Sequence, residues 1–300
     1  MRDLTAFGDP VLDYVYEISD PIRTGGKMLG RFLDAVPGGT TANMASSAAK
    51  LGLNVALVGR VALGDEGALH RASLKSAGVT GLLTEVAVPR GTHCVIALNP
   101  DGEKTLIYVP MQAPPVKEDT IRQAMAETRF AYVMAADFAK LSAHAGSGAL
   151  ICVDVDAAAG LSAAQFASVR DSADVLFIND VGYHKLTGAA PDAAGLADLI
   201  GPRARTLCCT GGAGVTWLLT HHDGRDEVLT RQALPAQVVD TTGAGDIFNA
   251  AYLTRIAEGA APADALDFSM AAGALATETL GARAAAPSRT AIEARLRLAR

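Results

Sequence analysis

Short apolar runs alternate along the chain with longer segments whose apolar positions recur at helical spacing. Five of these runs are nearly continuous in apolar residues, which is typical of parallel strands covered on both faces. The predicted strands span 4–9, 54–61, 130–136, 149–155 and 174–180. Helices are predicted between strands, over 42–52, 66–78 and 116–127. This alternation predicts an α/β fold with a doubly wound, mostly parallel sheet and helices on both faces.

Two regions interrupt the alternation and predict β structure outside the central sheet. The region from about 11 to 36 contains two β-prone runs separated by the turn-forming stretch DPIRTGG. The region 92–110 contains two more around an Asn-Pro-Asp-Gly stretch, which is a hairpin signature. We expect both regions to form a small antiparallel β flap, or lid, inserted into a single α/β domain that spans residues 1–300.

The last third of the chain continues with a further hairpin and then with helices. The hairpin is predicted over 214–234, with its turn near Asp223 and Gly224. The helices are predicted over 244–258, about 262–277 and about 288–298. From residue 244 onward we therefore expect helical structure.

Composition and charge exclude some classes of partner. The chain has 300 residues, a net charge of −6 and 5% aromatic residues, and it lacks the basic stripe of a nucleic-acid groove. No apolar stretch reaches the ~18 residues of a membrane-spanning helix, and the N-terminus lacks a signal-peptide pattern. The four cysteines lack metal-binding spacing and are expected to be buried, reduced thiols. We expect a cytoplasmic protein without nucleic-acid or membrane partners.

The stretch VVDTTGAGD, residues 238–246, joins the predicted end of a strand to the start of a helix. Gly243, Ala244 and Gly245 carry little side chain, so an anion can approach the unpaired N–H groups of the helix end. A carboxylate there would repel the anion, but Asp246 can act on a neutral hydroxyl delivered to it. Asp246 is therefore a candidate general base beside an anion hole. Taken alone, it would better fit an aspartate that stabilises a helix N-terminus.

Four stretches together resemble one known family. PGGTTANMASSAAKLG followed by VALVGRVALGDEG resembles the N-terminal signature of the ribokinase-like carbohydrate kinases, the phosphofructokinase B family. DTTGAGD resembles the C-terminal signature of that family, and GARAAAP resembles its tail motif. A Walker A string is absent, which disfavours P-loop proteins. The resemblance implies a kinase that uses ATP and Mg²⁺ to phosphorylate a primary hydroxyl of a sugar or sugar-like polyol.

The resemblance also implies roles for individual residues, in four groups. The implied catalytic residues are Asp246 as the base, with Gly243, Ala244 and Gly245 as the anion hole. The implied acceptor-binding residues are Asp13, Gly38, Gly39 and Asn43. The implied nucleotide-binding residues are Asn179, Gly211 and Gly214. A loop for a monovalent cation such as K⁺ is implied at Asp240 and Thr242.

One position departs from the family pattern. The family has a glutamate three residues after the asparagine that matches Asn179, in the region of Mg²⁺ and phosphate, and this chain has Gly182. Mg²⁺ often keeps several waters, so one lost carboxylate need not abolish binding. A ligand-sensing protein with weak catalysis is therefore one alternative. Lys104, in the flap, could reach a phosphate, although an exposed hairpin lysine is the default expectation.

The flap raises two further expectations. A nucleoside kinase of the same family is a second alternative, because aromatic residues of the flap region could form a shelf for a base. These residues are Tyr14, Tyr16, Phe32 and Tyr108. The exposed edges and apolar faces of a flap need covering, so we expect a homodimer that forms through it.

Overall fold

The computed structural model describes residues 1–99, 101, 103–156, 160–222 and 225–299, so the turn expected at Asp223 and Gly224 lies outside it. The strands are β1 (Arg2–Phe7), β2 (Val11–Ile18), β3 (Gly30–Gly38), β4 (Val55–Ala62), β5 (Thr80–Val86), β6 (His93–Leu98), β7 (Lys104–Val109), β8 (Thr128–Met134), β9 (Leu150–Val155), β10 (Val175–Asn179), β11 (Thr206–Thr210), β12 (Val215–His222) and β13 (Arg225–Gln232). The helices are α1 (Thr40–Lys50), α2 (Asp65–Ser76), α3 (Glu118–Ala126), α4 (Ala139–Ser142), α5 (Ala163–Ser172), α6 (Asp180–Thr187), α7 (Ala193–Leu199), α8 (Ala244–Ala257), α9 (Pro262–Thr277) and α10 (Arg289–Ala299).

Nine of the strands described above form the central sheet, in the order β13-β12-β11-β10-β9-β8-β1-β4-β5. The pairings from β11 to β5 along this order are parallel. The predicted hairpin supplies β12 and β13, which extend one edge of the same sheet in antiparallel pairing. The five strands predicted from apolar runs lie in this sheet, as β1, β4, β8, β9 and β10. The predicted mostly parallel α/β fold is therefore confirmed.

The central strands predict well because both of their faces are buried. Along β9, Ile151 and Val153 belong to one hydrophobic cluster, and Cys152 belongs to the cluster on the opposite face. The first cluster also contains residues of α3, α5 and α7, and the second contains residues of α1, α2, α8 and α9. Helices thus cover both faces. In the described part of the chain, no helix is long and apolar enough to cross a bilayer.

Some elements lack the apolar pattern that would predict them. Among their described residues, α5 fully buries Val169 alone and α7 fully buries Leu196 alone, so each has a narrow buried face. Strand β5 lies at an edge of the sheet and consists of exposed and half-buried residues. The helices predicted near the C-terminus are confirmed as α8, α9 and α10. Burial therefore decides which elements the sequence reveals.

Four strands form a second, smaller sheet in the order β3-β2-β6-β7. The pairs β2–β3 and β6–β7 are antiparallel, as expected for the flap, and a parallel pairing of β2 with β6 joins them. Asp13, Cys94 and Tyr108 are paired in register and therefore share one face of this sheet. Tyr14 lies on the opposite face, since it follows Asp13 directly along β2.

Arg60, in β4, anchors the small sheet at the carboxyl ends of the central strands. Its Nη2 lies 2.6 Å from Oδ2 of Asp9, in the connection from β1 to β2. Its Nη1 donates to the carbonyl of Ala113, beyond β7, at 2.7 Å. Thr92, just before β6, donates to the same Asp9 carboxylate at 3.3 Å. Since ligands bind at the carboxyl ends of strands in open α/β sheets, the small sheet is anchored beside the expected site.

Candidate active site

The start of α8 carries the glycines and the aspartate of the GAGD stretch. Gly243 precedes the helix with φ 76°, and a Cβ there would lie 2.5 Å from Cβ of Ala282. A Cβ on Gly245 would meet no atom within 4 Å, so this position faces open space. The first N–H groups of a helix have no partner within it and lie at the positive end of its dipole. The helix end therefore combines a tight turn with room for an anion.

Asp246 lies in the first turn of α8, and 9% of it is exposed. Its Oδ2 accepts a hydrogen bond of 2.9 Å from Nδ2 of Asn43. Burial raises the pKa of Asp246 to about 8, against the lowering effect of the bond from Asn43. The carboxylates of Asp154 and Asp156 raise this pKa further, whereas the charge of Arg283 lowers it. A base with a pKa near neutrality is suited to removing a proton from a hydroxyl.

A pocket of about 150 Å³ lies beside Asp246, at the carboxyl ends of β8 to β11. Its walls consist of Thr40, Met134, Asp154, Asp156, Phe177, Ile178, Asn179, Thr210, Gly245, Asp246 and Asn249. Oδ2 of Asp154 accepts hydrogen bonds from Tyr132 at 2.7 Å and from Asn249 at 2.8 Å. Burial raises the pKa of Asp154 to about 6. Sequence reasoning misses Asp154 and Asp156, although a carboxylate that ends a buried parallel strand is a signal of the ligand-binding edge.

The pocket has oxygen donors suited to a hard cation. Among the residues that the structure describes, no group of three or more His, Cys, Asp or Glu side chains is arranged to hold a metal. The polar groups of the pocket are carboxylates, amides and hydroxyls, and oxygen is the ligand that Mg²⁺ prefers. Mg²⁺ is commonly bound by one or two carboxylates together with phosphates and waters. The pocket therefore fits Mg²⁺ that arrives with a nucleotide rather than an ion caged by protein alone.

Asp13 lies on β2, against the turn that leads from β3 into α1. A Cβ on Gly38 would lie 2.0 Å from Oδ2 of Asp13, and one on Gly39 would lie 2.7 Å from Cγ2 of Val11. Gly39 also has φ 93°, a region that favours glycine. Both glycines are therefore required for this close approach of β2 to the turn. Burial raises the pKa of Asp13 to about 6, against the effect of the Arg283 charge.

Arg283 is a site residue that sequence reasoning misses, although it lies within the GARAAAP stretch. Its Nε donates to Oδ1 of Asn43 at 3.0 Å, and its Nη2 donates to the carbonyl of Gly38 at 2.8 Å. Burial lowers the pKa of Arg283 to about 10, and the charges of Asp13 and Asp246 act against this decrease. The structure thus brings the expected acceptor-binding residues and the expected base together around one guanidinium group.

The expected nucleotide-binding residues are placed differently from one another. Asn179 lines the pocket, and its Oδ1 caps α6 by accepting a hydrogen bond of 2.7 Å from the N–H of Gly182. Gly211 and Gly214 form the turn before β12, where the Gly214 N–H donates to the Gly211 carbonyl at 2.7 Å. A Cβ on Gly211 would lie 2.2 Å from the carbonyl oxygen of Val215. Turn geometry alone accounts for Gly211, and a nucleotide contact there stays a prediction.

Comparison with known proteins identifies the family. A family model described as pfkB family carbohydrate kinase matches residues 1–289. The chain belongs to this family. It is 29% identical over 305 residues to a ribokinase of Bacillus subtilis, covering 98% of this chain and 99% of the relative. It is 30% identical to fructokinase-2 of Solanum habrochaites, covering 95% and 93% of the two chains.

A solved structure gives the same result for the fold of this carbohydrate kinase. The structure of Arabidopsis thaliana ribokinase complexed with ribose and ATP aligns with a TM-score of 0.84 at 25% identity. The alignment covers 98% of each chain. The family and the fold implied by the signatures are therefore confirmed over nearly the whole chain.

Gly182 lies where the resemblance in sequence implies a glutamate. Gly182 lies in the first turn of α6, so its backbone is helical. A Cβ there would lie 3.2 Å from Oδ1 of Asn179 and from Cγ1 of Ile178, which is a tight contact. The N–H of Gly182 is also the group that Asn179 caps. A larger side chain would therefore crowd the cap of α6 rather than strain the backbone.

Lys104 contacts the loop that is expected to bind a monovalent cation. Lys104 is exposed, as expected, but its charge is paired, because its Nζ lies 2.7 Å from Oδ1 of Asp240 and 2.8 Å from Oγ1 of Thr242. Oδ2 of Asp240 accepts a hydrogen bond of 3.0 Å from the N–H of Gly281. Although burial alone would raise it, hydrogen bonds led by that from Lys104 hold the pKa of Asp240 well below its usual range. The small sheet thus supplies a cation to the loop before α8.

Replacing Asp246 with asparagine should stabilise the kinase, and more at high pH. Folding raises the pKa of Asp246 from 3.8 to about 8, so ionisation in the folded state costs stability. This cost is absent below pH 3.8, grows as the pH rises towards about 8, and is then constant. We expect Asp246→Asn to raise Tm by roughly 2–6 °C at pH 8 and by less at pH 5, measured by calorimetry. Asp119→Asn, at an exposed position, is the control. An Asp246→Asn variant with a lower Tm than the parent at pH 8 would contradict the raised pKa of Asp246.

The contact of Lys104 predicts how the kinase responds to monovalent cations. If Lys104 supplies the cation at Asp240, the rate should be the same in K⁺ and tetramethylammonium salts. The Lys104→Met variant should then require K⁺. Without K⁺ its rate should be about 10-fold lower, because the buried carboxylate of Asp240 loses its partner. Lys140→Met is the matched control, since it removes a lysine–aspartate pair with Asp137 elsewhere. A parent enzyme that is inactive without K⁺ would show that Lys104 does not fill this role.

Proposed function

We propose that this carbohydrate kinase transfers the γ-phosphoryl group of ATP to a primary hydroxyl of a sugar or sugar-like polyol, with Asp246 as the general base. The observation that carries the proposal is the position of Asp246. Its carboxylate lies at the open N-terminus of α8 and is hydrogen-bonded to Asn43 of the expected acceptor site. A hydroxyl held by that site would meet a base and an anion hole at one helix end.

Hydroxyl-rich acceptors fit the side chains on the other side of Asp246. A carboxylate such as Asp13 accepts hydrogen bonds, and an amide such as Asn43 donates them, so the two suit neighbouring hydroxyls. Arg283 and Lys104 are cations close to this region, and both are hydrogen-bonded to protein oxygens. These contacts favour an uncharged acceptor over a sugar phosphate. The ribose in the Arabidopsis ribokinase complex supports the same class of acceptor.

The proposed reaction divides the work between the two sides of the α8 N-terminus. Asp246 removes the proton of the acceptor hydroxyl as the hydroxyl oxygen attacks the γ-phosphorus and the bond from that phosphorus to ADP breaks. Asn43 holds the Asp246 carboxylate in place. The N–H groups around Gly245 hold the oxygens of the transferring phosphoryl group. Mg²⁺ bound with the nucleotide would neutralise phosphate charge next to the oxygen donors of the pocket. The four free, buried cysteines are consistent with work in the reducing cytoplasm.

The small sheet is the proposed lid of this site. Water must be excluded during phosphoryl transfer, because it would compete with the acceptor hydroxyl. The face of the sheet that carries Asp13, Cys94 and Tyr108 also carries Lys104, which contacts the loop before α8. This face therefore covers the acceptor side. Arg60 fixes the connections of the lid to the body without holding its strands.

The lid does not favour the nucleoside kinase alternative. Among the aromatic residues considered for a shelf, Tyr108 shares the face of Asp13. Tyr14 lies on the opposite face and contacts His93, and Tyr16 contacts Phe32, with ring centroids 5.8 and 5.5 Å apart. These rings do not form one surface over the acceptor side. An acceptor panel that includes nucleosides tests this alternative directly.

The proposal is tested by measuring ADP production with a panel of free sugars, polyols, sugar phosphates and nucleosides at fixed ATP. We expect turnover with at least one free sugar or polyol. With that acceptor, Asp246→Asn should lower kcat by roughly 10²–10⁴, the usual contribution of a general base, and should leave ATP binding intact. The exposed Asp119→Asn is the control. Sugar binding without ADP production would favour the sensor alternative, and an Asp246→Asn variant with more than half the parent's kcat would remove this base from the mechanism.

The outer face of the lid supports a homodimer. Phe32 and Ile107 lie on the face opposite Asp13 and are 53% and 50% exposed. The two residues lie on the opposite edge strands of this face, β3 and β7. Apolar side chains exposed on one face of a sheet are typical of an interface, and the same face of a second copy can meet them in a symmetric pair. We therefore propose that two copies associate through this face.

Sedimentation velocity at micromolar concentration should show a dimer for the parent protein. Phe32→Glu combined with Ile107→Glu should produce a monomer, because the interface would then bury unpaired charges. Leu298→Glu is the matched control, since Leu298 is 85% exposed in α10 and far from the lid in sequence. A parent protein that sediments as a monomer, with or without ligands, would refute the dimer.

A further inference from the structure

Arg283 donates hydrogen bonds to three different segments around the expected acceptor site. Its Nε reaches Oδ1 of Asn43 on α1, and its Nη2 reaches the carbonyl of Gly38 at the end of β3. Its Nη1 donates to Oγ of Ser73 on α2 at 2.6 Å. Each guanidinium nitrogen is thus bound to protein. Arg283 can therefore act on the acceptor site through the groups that it holds.

The bond to Asn43 fixes which way the side-chain amide of Asn43 points. An amide has one oxygen that accepts and one NH₂ group with two donors. Arg283 donates to Oδ1 of Asn43, and Nδ2 of Asn43 donates to Oδ2 of Asp246 at 2.9 Å. One N–H of the amide then remains for another acceptor. A flipped amide would set its oxygen against the carboxylate of Asp246 and its NH₂ group against the guanidinium, and both contacts would be lost.

We propose that Arg283 is a positioning residue of the kinase, which orients the Asn43 amide so that its N–H groups face Asp246 and the acceptor hydroxyls. This inference rests on the proposed function, because it assigns the Asn43 amide to acceptor binding. Arg283, Asn43 and Asp246 form one directional chain of hydrogen bonds, in which each bond restricts the next. The bond to Gly38 holds the turn against Asp13 as well, so the same guanidinium aligns both sides of the acceptor site.

The carbohydrate acceptor, rather than the nucleotide, should therefore respond to substitution of Arg283. The residues that it holds, Gly38 and Asn43, belong to the expected acceptor site and do not line the pocket that contains Asn179 and Thr210. If Arg283 were only structural, its substitution would lower stability and weaken the binding of ATP and of the acceptor alike. A positioning role predicts a loss confined to the acceptor, with the apparent KM for ATP unchanged.

The first experiment compares Arg283→Met and Arg283→Gln with the parent, using the best acceptor of the panel. Arg283→Met should lower kcat/KM for the acceptor by about 10–100-fold, since a buried amide oxygen loses its donor, and should change KM for ATP by less than about twofold. Arg283→Gln should recover part of this loss, because its NH₂ group can still donate to Asn43. Ser73→Ala removes one bond of Arg283 and leaves the bond to Asn43. The Ser73→Ala variant should retain roughly a third or more of the parent's kcat/KM for the acceptor.

The second experiment is a double-mutant cycle with Asn43→Ala. If Arg283 acts through Asn43, adding Arg283→Met to Asn43→Ala should change kcat/KM by less than about threefold, although Arg283→Met alone costs far more. Independent, multiplying effects would overturn the proposal, and so would equal losses for ATP and acceptor. Thermal unfolding of each variant identifies any that fail to fold, in which case Arg283→Gln carries the comparison. If the parent shows no turnover, the proposed function fails, and calorimetric binding of ribose to the same variants still tests Arg283.

Discussion

The buried contact between Asp246 and Asn43 is the interaction on which the site depends. It joins the first turn of α8 to the first turns of α1, whose sequences are about 200 residues apart and lie in the two family signatures. Burial raises the pKa of the Asp246 carboxyl, and the hydrogen bond from the Asn43 amide lowers it. The balance keeps Asp246 close to the point where it can both accept and release a proton. A solvated aspartate at the same helix end would only stabilise the helix.

The central sheet explains how residues so distant in sequence meet. Parallel strands end at one edge, and the helices that follow them begin there, so helix N-termini and strand carboxyl ends converge. Asp154 follows this rule at the end of β9, and Thr210 follows it at the end of β11. The small sheet is anchored at the same edge through Arg60. The topology therefore supplies the place, and a few close contacts at glycines supply the geometry.

The sequence is informative about parts of the structure that local chemistry determines. Apolar runs predict the central strands because both faces are buried, and the GAGD stretch predicts the helix start because Gly243, with φ 76°, forms the tight turn that precedes it. The partners of Arg283 and Lys104 escape prediction, because they depend on pairs 240 and 136 residues apart. The faces of the small sheet also escape it, since the parallel pairing of β2 with β6 decides which aromatic residues lie above the acceptor side. Local sequence therefore does not predict how distant segments of the chain pair with one another.

The charge balance of the site follows from these pairings. Asp13, Asp154 and Asp246 are carboxylates in or beside the cleft, and burial raises the pKa of each. Arg283 offsets part of this charge from behind Asn43, and Lys104 offsets Asp240 alone. A phosphate entering beside such a cluster is repelled unless positive charge enters with it. Under the proposed reaction, Arg283 and Lys104 therefore pair with groups of the protein itself. The charge of the phosphates is neutralised by the cation that arrives with the nucleotide. Because Arg283 and Lys104 are both paired with protein oxygens, neither offers an unpaired cation to the acceptor, and this favours an uncharged hydroxyl over an anion.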